Sequence, residues 1–123
     1  MAQKDKKHPY AFDFDGVIAK YEGFQGKEHE TEPIKEVVNA IRKLKDEGHT
    51  IIINSTRGDE FLRKYCEKHN IPVDYFNENP EFDSDGDKPV ASVYIDDRAI
   101  CYKGQTSEEL IKELKDFKAY WEK

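Results

Sequence analysis

Tyr10-Ala11-Phe12-Asp13-Phe14-Asp15-Gly16 is the stretch on which the reading of the chain turns. It is short, aromatic-rich and closed by glycine, which predicts a buried strand ending at Asp13 or nearby. Gly16 permits a sharp exit from that strand, with free backbone N–H groups beside an anion. Downstream, Thr50 to Ile53 is β-branched throughout and reads as a central strand covered on both faces. Val73 to Phe76 reads as a short strand, and Val90 to Ile95 as an apolar strand that delivers Asp96 and Asp97 at its end.

The intervening patterns are helical. Pro33 suits a first helical position, and Ile34, Val37, Val38, Ile41 and Leu44 then form one apolar stripe that Gly48 stops. Asp59 is placed to cap a second helix carrying Phe61, Leu62, Tyr65 and Cys66, ending near Asn70. Asn77 to Pro89 reads as a polar loop. Thr106 and Glu109 have the spacing of a capping box, opening a helix with Leu110, Ile111, Leu114, Phe117 and Trp121 on one face. The order strand, helix, strand, helix, strand, strand, helix predicts an α/β fold: a single Rossmann-like open, mainly parallel sheet with helices on both faces. Ligands in such sheets bind beyond the carboxyl ends of the strands.

A length of 123 residues fits one domain, 1–123, with residues 1–8 expected to be a flexible N-terminus. Twenty Lys and Arg against 26 Asp and Glu give a net charge of −6, which argues against nucleic acid as a partner, since broad binding to it requires phosphate neutralisation. No apolar run approaches the ~18 residues that span a bilayer, so no membrane partner is expected. The basic start has no apolar stretch behind it, and two cysteines are too few for a disulfide scaffold. Cys66 and Cys101 are therefore read as reduced, semi-buried thiols of a cytoplasmic protein.

Four polar features fall at predicted strand ends or just before a strand: Asp13 to Gly16, Asn54 to Arg57, Lys88-Pro89, and Asp96-Asp97-Arg98. Taken singly, each is ordinary turn or cap chemistry. Together they gather carboxylates at one edge of the sheet. Asp13, Asp96 and Asp97 converge if the first and last strands are neighbours, and their like charges then raise one another's pKa values. Mg²⁺ removes that difficulty, because it binds carboxylate and carbonyl oxygens while keeping positions for water or phosphate. Ser55 brings a hydroxyl donor and Lys88 a point positive charge, both suited to phosphate oxygens.

These motifs resemble those of the haloacid dehalogenase superfamily of phosphohydrolases. Tyr10 to Gly16 matches its hhhDxDG motif, and Ile51-Ile52-Ile53-Asn54-Ser55 its apolar strand ending in a hydroxyl residue. Lys88 matches its lysine before the last core strand, and Asp96-Asp97 its closing acidic pair. The resemblance spans Tyr10 to Arg98 in the family's order. It implies a Mg²⁺-dependent phosphatase acting on a phosphate monoester. Asp13 would be the nucleophile that becomes an aspartyl phosphate, and Asp15 the general acid and then base. Ser55 and Lys88 would hold the phosphoryl group. Thr56 is the alternative to Ser55, because strand alternation lets only one of the two face the phosphate. The metal would be held by Asp13, the backbone carbonyl of Asp15 and the acidic pair. Asp97 is favoured as direct ligand, with Asp96 behind it, on the Ile-Asp-Asp-Arg form; the reverse assignment stays open.

Larger members of that superfamily insert a cap domain. Here Val17 to Glu32 is long enough only for a flap, and Thr56 to Asp87 holds one helix, a strand and a loop, so the chain resembles a small capless member. Water exclusion then falls to the flap, to the Asn77–Asp87 loop, to the substrate's bulk, or to a homo-oligomer supplying the missing cap. Tyr21, Phe24 and His29 in the flap either contact substrate or pack the flap down. Asp83 to Asp87 fails the calcium-loop pattern at its sixth and twelfth positions, and the four histidines lack zinc-ligand spacing. The competing readings are a receiver-type phospho-acceptor signalling domain and a catalytically silent phosphate-binding member. A receiver places its acidic pair on the first strand and Lys-Pro after the last core strand, the reverse of the order here. The acidic surface favours a small phosphorylated substrate, although motif four also resembles that of polynucleotide 3′-phosphatases.

Overall fold

The structure, a computed structural model, describes residues 7–122. Four strands form one parallel sheet: β1 (Pro9–Phe12), β2 (Thr50–Ile53), β3 (Tyr75–Phe76) and β4 (Val93–Ile95). Their order across the sheet is β3-β2-β1-β4. Three helices accompany them: α1 (Lys35–Asp46), α2 (Asp59–His69) and α3 (Ser107–Asp116). The fold is thus the α/β open sheet that the alternating patterns predict. Among the described residues, no helix is long and apolar enough to cross a membrane.

The chain steps outward from β1 to β2 to β3, then returns to the far side of β1 as β4. The direction in which the chain adds strands therefore reverses at β1, while all strands stay parallel, and crevices for ligands open at such a switch point. Right-handed crossovers carry α1 and α2 to the same face. Val38 and Ile41 of α1 and Leu62, Tyr65 and Cys66 of α2 join Phe12, Ile51 and Ile53 in one buried cluster. Alternation turns Ala11 and Ile52 to the opposite face, where they are equally buried. Over β2 and β3 that second face is closed by the β3–β4 connection rather than by a helix. Glu81 of this loop accepts hydrogen bonds from Thr50 Oγ1 and Tyr75 Oη, and buried Asn79 donates to the Val90 carbonyl.

Element edges differ from the sequence reading in informative ways. Gly58 caps α2, and Asp59 is its first residue. β4 starts at Val93 rather than Val90, and as the outer strand it leaves Val93 half exposed. The Thr106–Glu109 capping box is present, but α3 stops at Asp116, where Phe117 turns extended. Phe117 and Trp121 are therefore not on the helical face assigned to them, and α3 buries no residue. The chain is pulled off the helix because Ala119 is buried and Tyr120 and Trp121 bond to the far end of the sheet. Of the expected flexible N-terminus, residues 1–6 lie outside the described residues. His8 is fixed, since its N–H donates to His49 Nδ1 and its carbonyl accepts from Thr50. Cys66 is buried, whereas Cys101 is exposed and not the packing residue expected.

Ile41 has no exposed surface and sits where α1 meets the β2 face. Ile41→Ala should destabilise the fold by ~2–5 kcal/mol, the usual range for deleting a buried aliphatic side chain. Urea unfolding followed by circular dichroism measures this directly.

Candidate active site

The first wall of the site is the turn that follows β1. Asp13 N–H donates to the Ile95 carbonyl (2.8 Å), extending the β1–β4 ladder by one residue. Phe14 is sunk into the core, edge-on to Tyr65, and its carbonyl accepts from Val17, Ile18 and Ala19. This anchor turns Asp13 and Asp15, two residues apart and each half-buried, out of the core and into the cleft. Gly16 adopts φ +88°, which favours glycine, and a Cβ there would collide with the Asp97 carboxylate. Its N–H is not free for an anion, as the sequence suggests, because it donates to the Ala19 carbonyl (2.8 Å).

The register Phe12↔Ile95 places Asp13 level with Asp96 and Asp97. One oxygen from each of the three lies within 4.8 Å of the others. Asp13 is pushed up to about 8, chiefly by burial, then by the neighbouring carboxylates of Asp97 and Asp96; the Phe14 N–H works against them. The acidic pair is not equivalent. Asp96 is exposed and its Oδ1 accepts the Arg98 N–H (2.8 Å). Asp97 lies against Gly16, its Oδ2 accepting from Trp121 Nε1 (2.5 Å), while its buried Oδ1 has no partner. An unpartnered buried oxygen among crowded carboxylates is a donor set that could hold a hard divalent cation such as Mg²⁺.

Asp15 faces the other side of the cleft. Arg57 donates from Nε to Asp15 Oδ2 and from Nη2 to Oδ1, both at 2.9 Å. Its third arm, Nη1, donates to the Lys27 carbonyl in the flap (2.7 Å), and the guanidinium rests 4.4 Å from the centre of the Phe61 ring. Arg57 thus ties the first motif, the second motif and the flap together. In the sequence Arg57 follows Ser55 and Thr56, and nothing there signals this pairing.

Ser55 is held from both sides. Its N–H donates to Asn77 Oδ1 (2.7 Å) and its Oγ accepts the Arg57 N–H (3.1 Å), which leaves the hydroxyl proton free to donate into the cleft. Asn77, at φ 58°, also donates from Nδ2 to Asp59, so one amide clamps the ends of β2 and β3 to the start of α2. Thr56 is more exposed and also lines the cleft.

Lys88 is not brought to the other site residues. Its Nζ lies 4.2 Å from the centre of the Tyr94 ring, and Tyr94 Oη donates to the Pro89 carbonyl (2.6 Å). These contacts run the Lys-Pro segment alongside β4 instead of across the strand ends. The basic residues on the cleft wall are Lys20, Lys27, Arg57 and Arg98.

Asp13, Asp15, Asp96, Ser55 and Thr56 open on one cleft of about 1590 Å³. The flap is anchored where Tyr65 Oη donates to the Thr31 carbonyl (2.7 Å). Tyr21 packs edge-on against Trp121 (4.8 Å between centroids), His29 is exposed, and Phe24, 76% exposed, stands at the cleft mouth. Trp121 and Tyr120 complete the wall. The sequence hides them, because positions 110, 111, 114, 117 and 121 repeat with a helical period.

No protein-family model matches the chain, and no curated protein does. Among solved structures, the chain is similar to a conserved protein coded by a locus from Bacteroides thetaiotaomicron. Identity is 26% over 89% of each chain, with a TM-score of 0.64. The likeness extends over nearly the whole fold, and that protein's description states no activity.

Two outcomes follow from this geometry. In metal-free protein Asp13 holds a proton when folded, up to about 8, that the unfolded chain releases near its ordinary 3.8. Its contribution to stability should therefore fall as pH rises through that window and level off above it. Urea unfolding in chelator from about pH 5 to pH 8 should show this decline in the wild type and a shallower one in Asp13→Asn. Separately, Arg57→Ala should speed hydrogen exchange across residues 20–32, because the flap loses its tie at Lys27. Exchange within β1 and β2 should stay unchanged.

Proposed function

We propose that the chain is a Mg²⁺-dependent phosphoric monoester hydrolase, a small capless member of the haloacid dehalogenase superfamily that works through an aspartyl phosphate on Asp13. The observation that carries this reading is the convergence at a switch point of Asp13, Asp96 and Asp97, with an unpartnered Asp97 oxygen, and of Asp15 and Ser55 on the same cleft. Asp13, Asp97, the Asp15 carbonyl and Asp96 would hold the cation, which offsets carboxylate charge and polarises the phosphoryl oxygens.

The chain's own groups then divide the work. An Asp13 oxygen attacks phosphorus as the bond to the leaving oxygen breaks, and Asp15 gives that oxygen a proton. In the second half Asp15 takes a proton from water, the water oxygen bonds to phosphorus, and the bond to Asp13 breaks. Ser55 donates its hydroxyl proton to a phosphoryl oxygen. Both Asp15 oxygens are engaged by Arg57 in the substrate-free state, so Asp15 has to leave that pair to reach a leaving group. The released guanidinium supplies the positive charge that Lys88, turned onto Tyr94, does not. A small phosphorylated substrate suits the acidic surface, and a cytoplasmic setting suits the two free thiols.

The displaced Lys88 and the doubly held Asp15 favour one second reading, a phosphate-binding member without turnover. An activated aryl phosphate separates the two. Hydrolysis should require Mg²⁺ and stop in excess chelator, and Asp13→Asn should abolish it. Asp15→Asn should give a stoichiometric burst of leaving group, then a steady rate lower by ~10²–10⁴-fold, with phosphate on Asp13 by mass spectrometry. Binding of phosphate without any burst would establish the silent reading; full activity in chelator would overturn both.

A further inference from the structure

The segment that follows α3 reaches across the molecule to the acidic cluster, and its contacts are specific. Ala119 is buried, Tyr120 Oη donates to the Gly16 carbonyl (2.6 Å), and Trp121 Nε1 donates to Asp97 Oδ2 (2.5 Å). The indole is held independently of Asp97. Tyr21 packs edge-on against it, and the Arg98 guanidinium lies 5.4 Å from its ring and 5.7 Å from that of Tyr21. Gly16 leaves room for the approach, since a Cβ there would meet both the carboxylate and, at 3.1 Å, the indole nitrogen.

We infer that Trp121 is a positioning residue that makes Asp97 a one-oxygen ligand and thereby tunes the site for Mg²⁺ over Ca²⁺. The inference rests on the metal-dependent reading above. With Oδ2 engaged by the indole N–H, only Oδ1, buried and without a partner, is available to a cation. A carboxylate free to rotate offers both oxygens, a mode that suits the larger and looser coordination shell of Ca²⁺. Mg²⁺ demands near-octahedral geometry with shorter bonds, so it gains most from an oxygen fixed in place. Partners that orient a ligand in this way typically account for 10–100-fold in metal affinity.

Isothermal titration of the full chain with MgCl₂ and with CaCl₂ tests this, comparing wild type with Trp121→Phe. Phenylalanine keeps an aromatic ring against Tyr21 while removing the N–H together with the second ring, and the comparison of the two cations separates lost orientation from lost packing, which would weaken both alike. The variant should bind Mg²⁺ about 10–100-fold more weakly, while Ca²⁺ affinity falls less, so that the preference for Mg²⁺ narrows. A second readout needs no variant, because Trp121 is the chain's single tryptophan. Wild-type indole emission should change with Mg²⁺ and saturate at the calorimetric Kd. Unchanged Mg²⁺ affinity in the variant, equal loss for both cations, or emission blind to saturating Mg²⁺ would overturn the positioning role and leave the metal site standing. Failure of the wild type to bind either cation would overturn the metal-dependent reading and this inference with it.

Discussion

The pairing of β1 with β4 is the constraint on which the rest depends. Only three residue pairs set its register, yet that register forces Asp13 against Asp96 and Asp97. Mutual repulsion and burial both oppose such crowding, and the folded chain tolerates it because the apolar sheet and the cluster beneath α1 and α2 hold the strands together. The strain is local. Asp13 carries it as a raised proton affinity, Asp97 as an oxygen without a partner. The crowding that costs the fold stability is thus the same crowding that the proposed cation chemistry would use.

Around that point the cleft has a rigid side and a conditional side. Ser55 is clamped by Asn77 and by the Arg57 N–H, with its hydroxyl proton left free to donate, so little ordering of the residue is left for a ligand to impose. Asp15 is held by an ion pair that an incoming anion competes for. Because Arg57 also grips the Lys27 carbonyl, the proposed exchange of its partner for a phosphate would loosen the flap at the same time.

How much of this was legible in the sequence follows from what each residue answers to. β1, β2, α1 and α2 are dictated by local periodicity and burial, and Thr50 to Ile53 forms a strand with the predicted limits. Motif order brought Asp13, Asp15, Ser55, Thr56, Asp96 and Asp97 to one edge, because strand ends in a parallel sheet share a direction. Lys88 failed to join them because its position depends on the path of an irregular loop and on one aromatic ring, neither of which has a periodic signature. Trp121 was misassigned for the opposite reason: its spacing is helical, and the bonds that draw it away reach Gly16 and Asp97, far off in the chain. Short-range pattern fixes elements, while long-range hydrogen bonds fix which side chains attend the site.

The lysine that stays away has a physical consequence where it is. β4 is the outer strand, so one side of its backbone lacks a neighbour, and half-exposed Val93 adds apolar surface beside it. Such an edge is a template for pairing with another chain. Charged residues and proline next to an edge strand are what discourage that pairing, and Lys88-Pro89 precedes β4 with its ammonium laid over Tyr94. In this position Lys88 puts a positive charge beside the open edge of β4, the kind of feature that makes edge-to-edge pairing between copies costly.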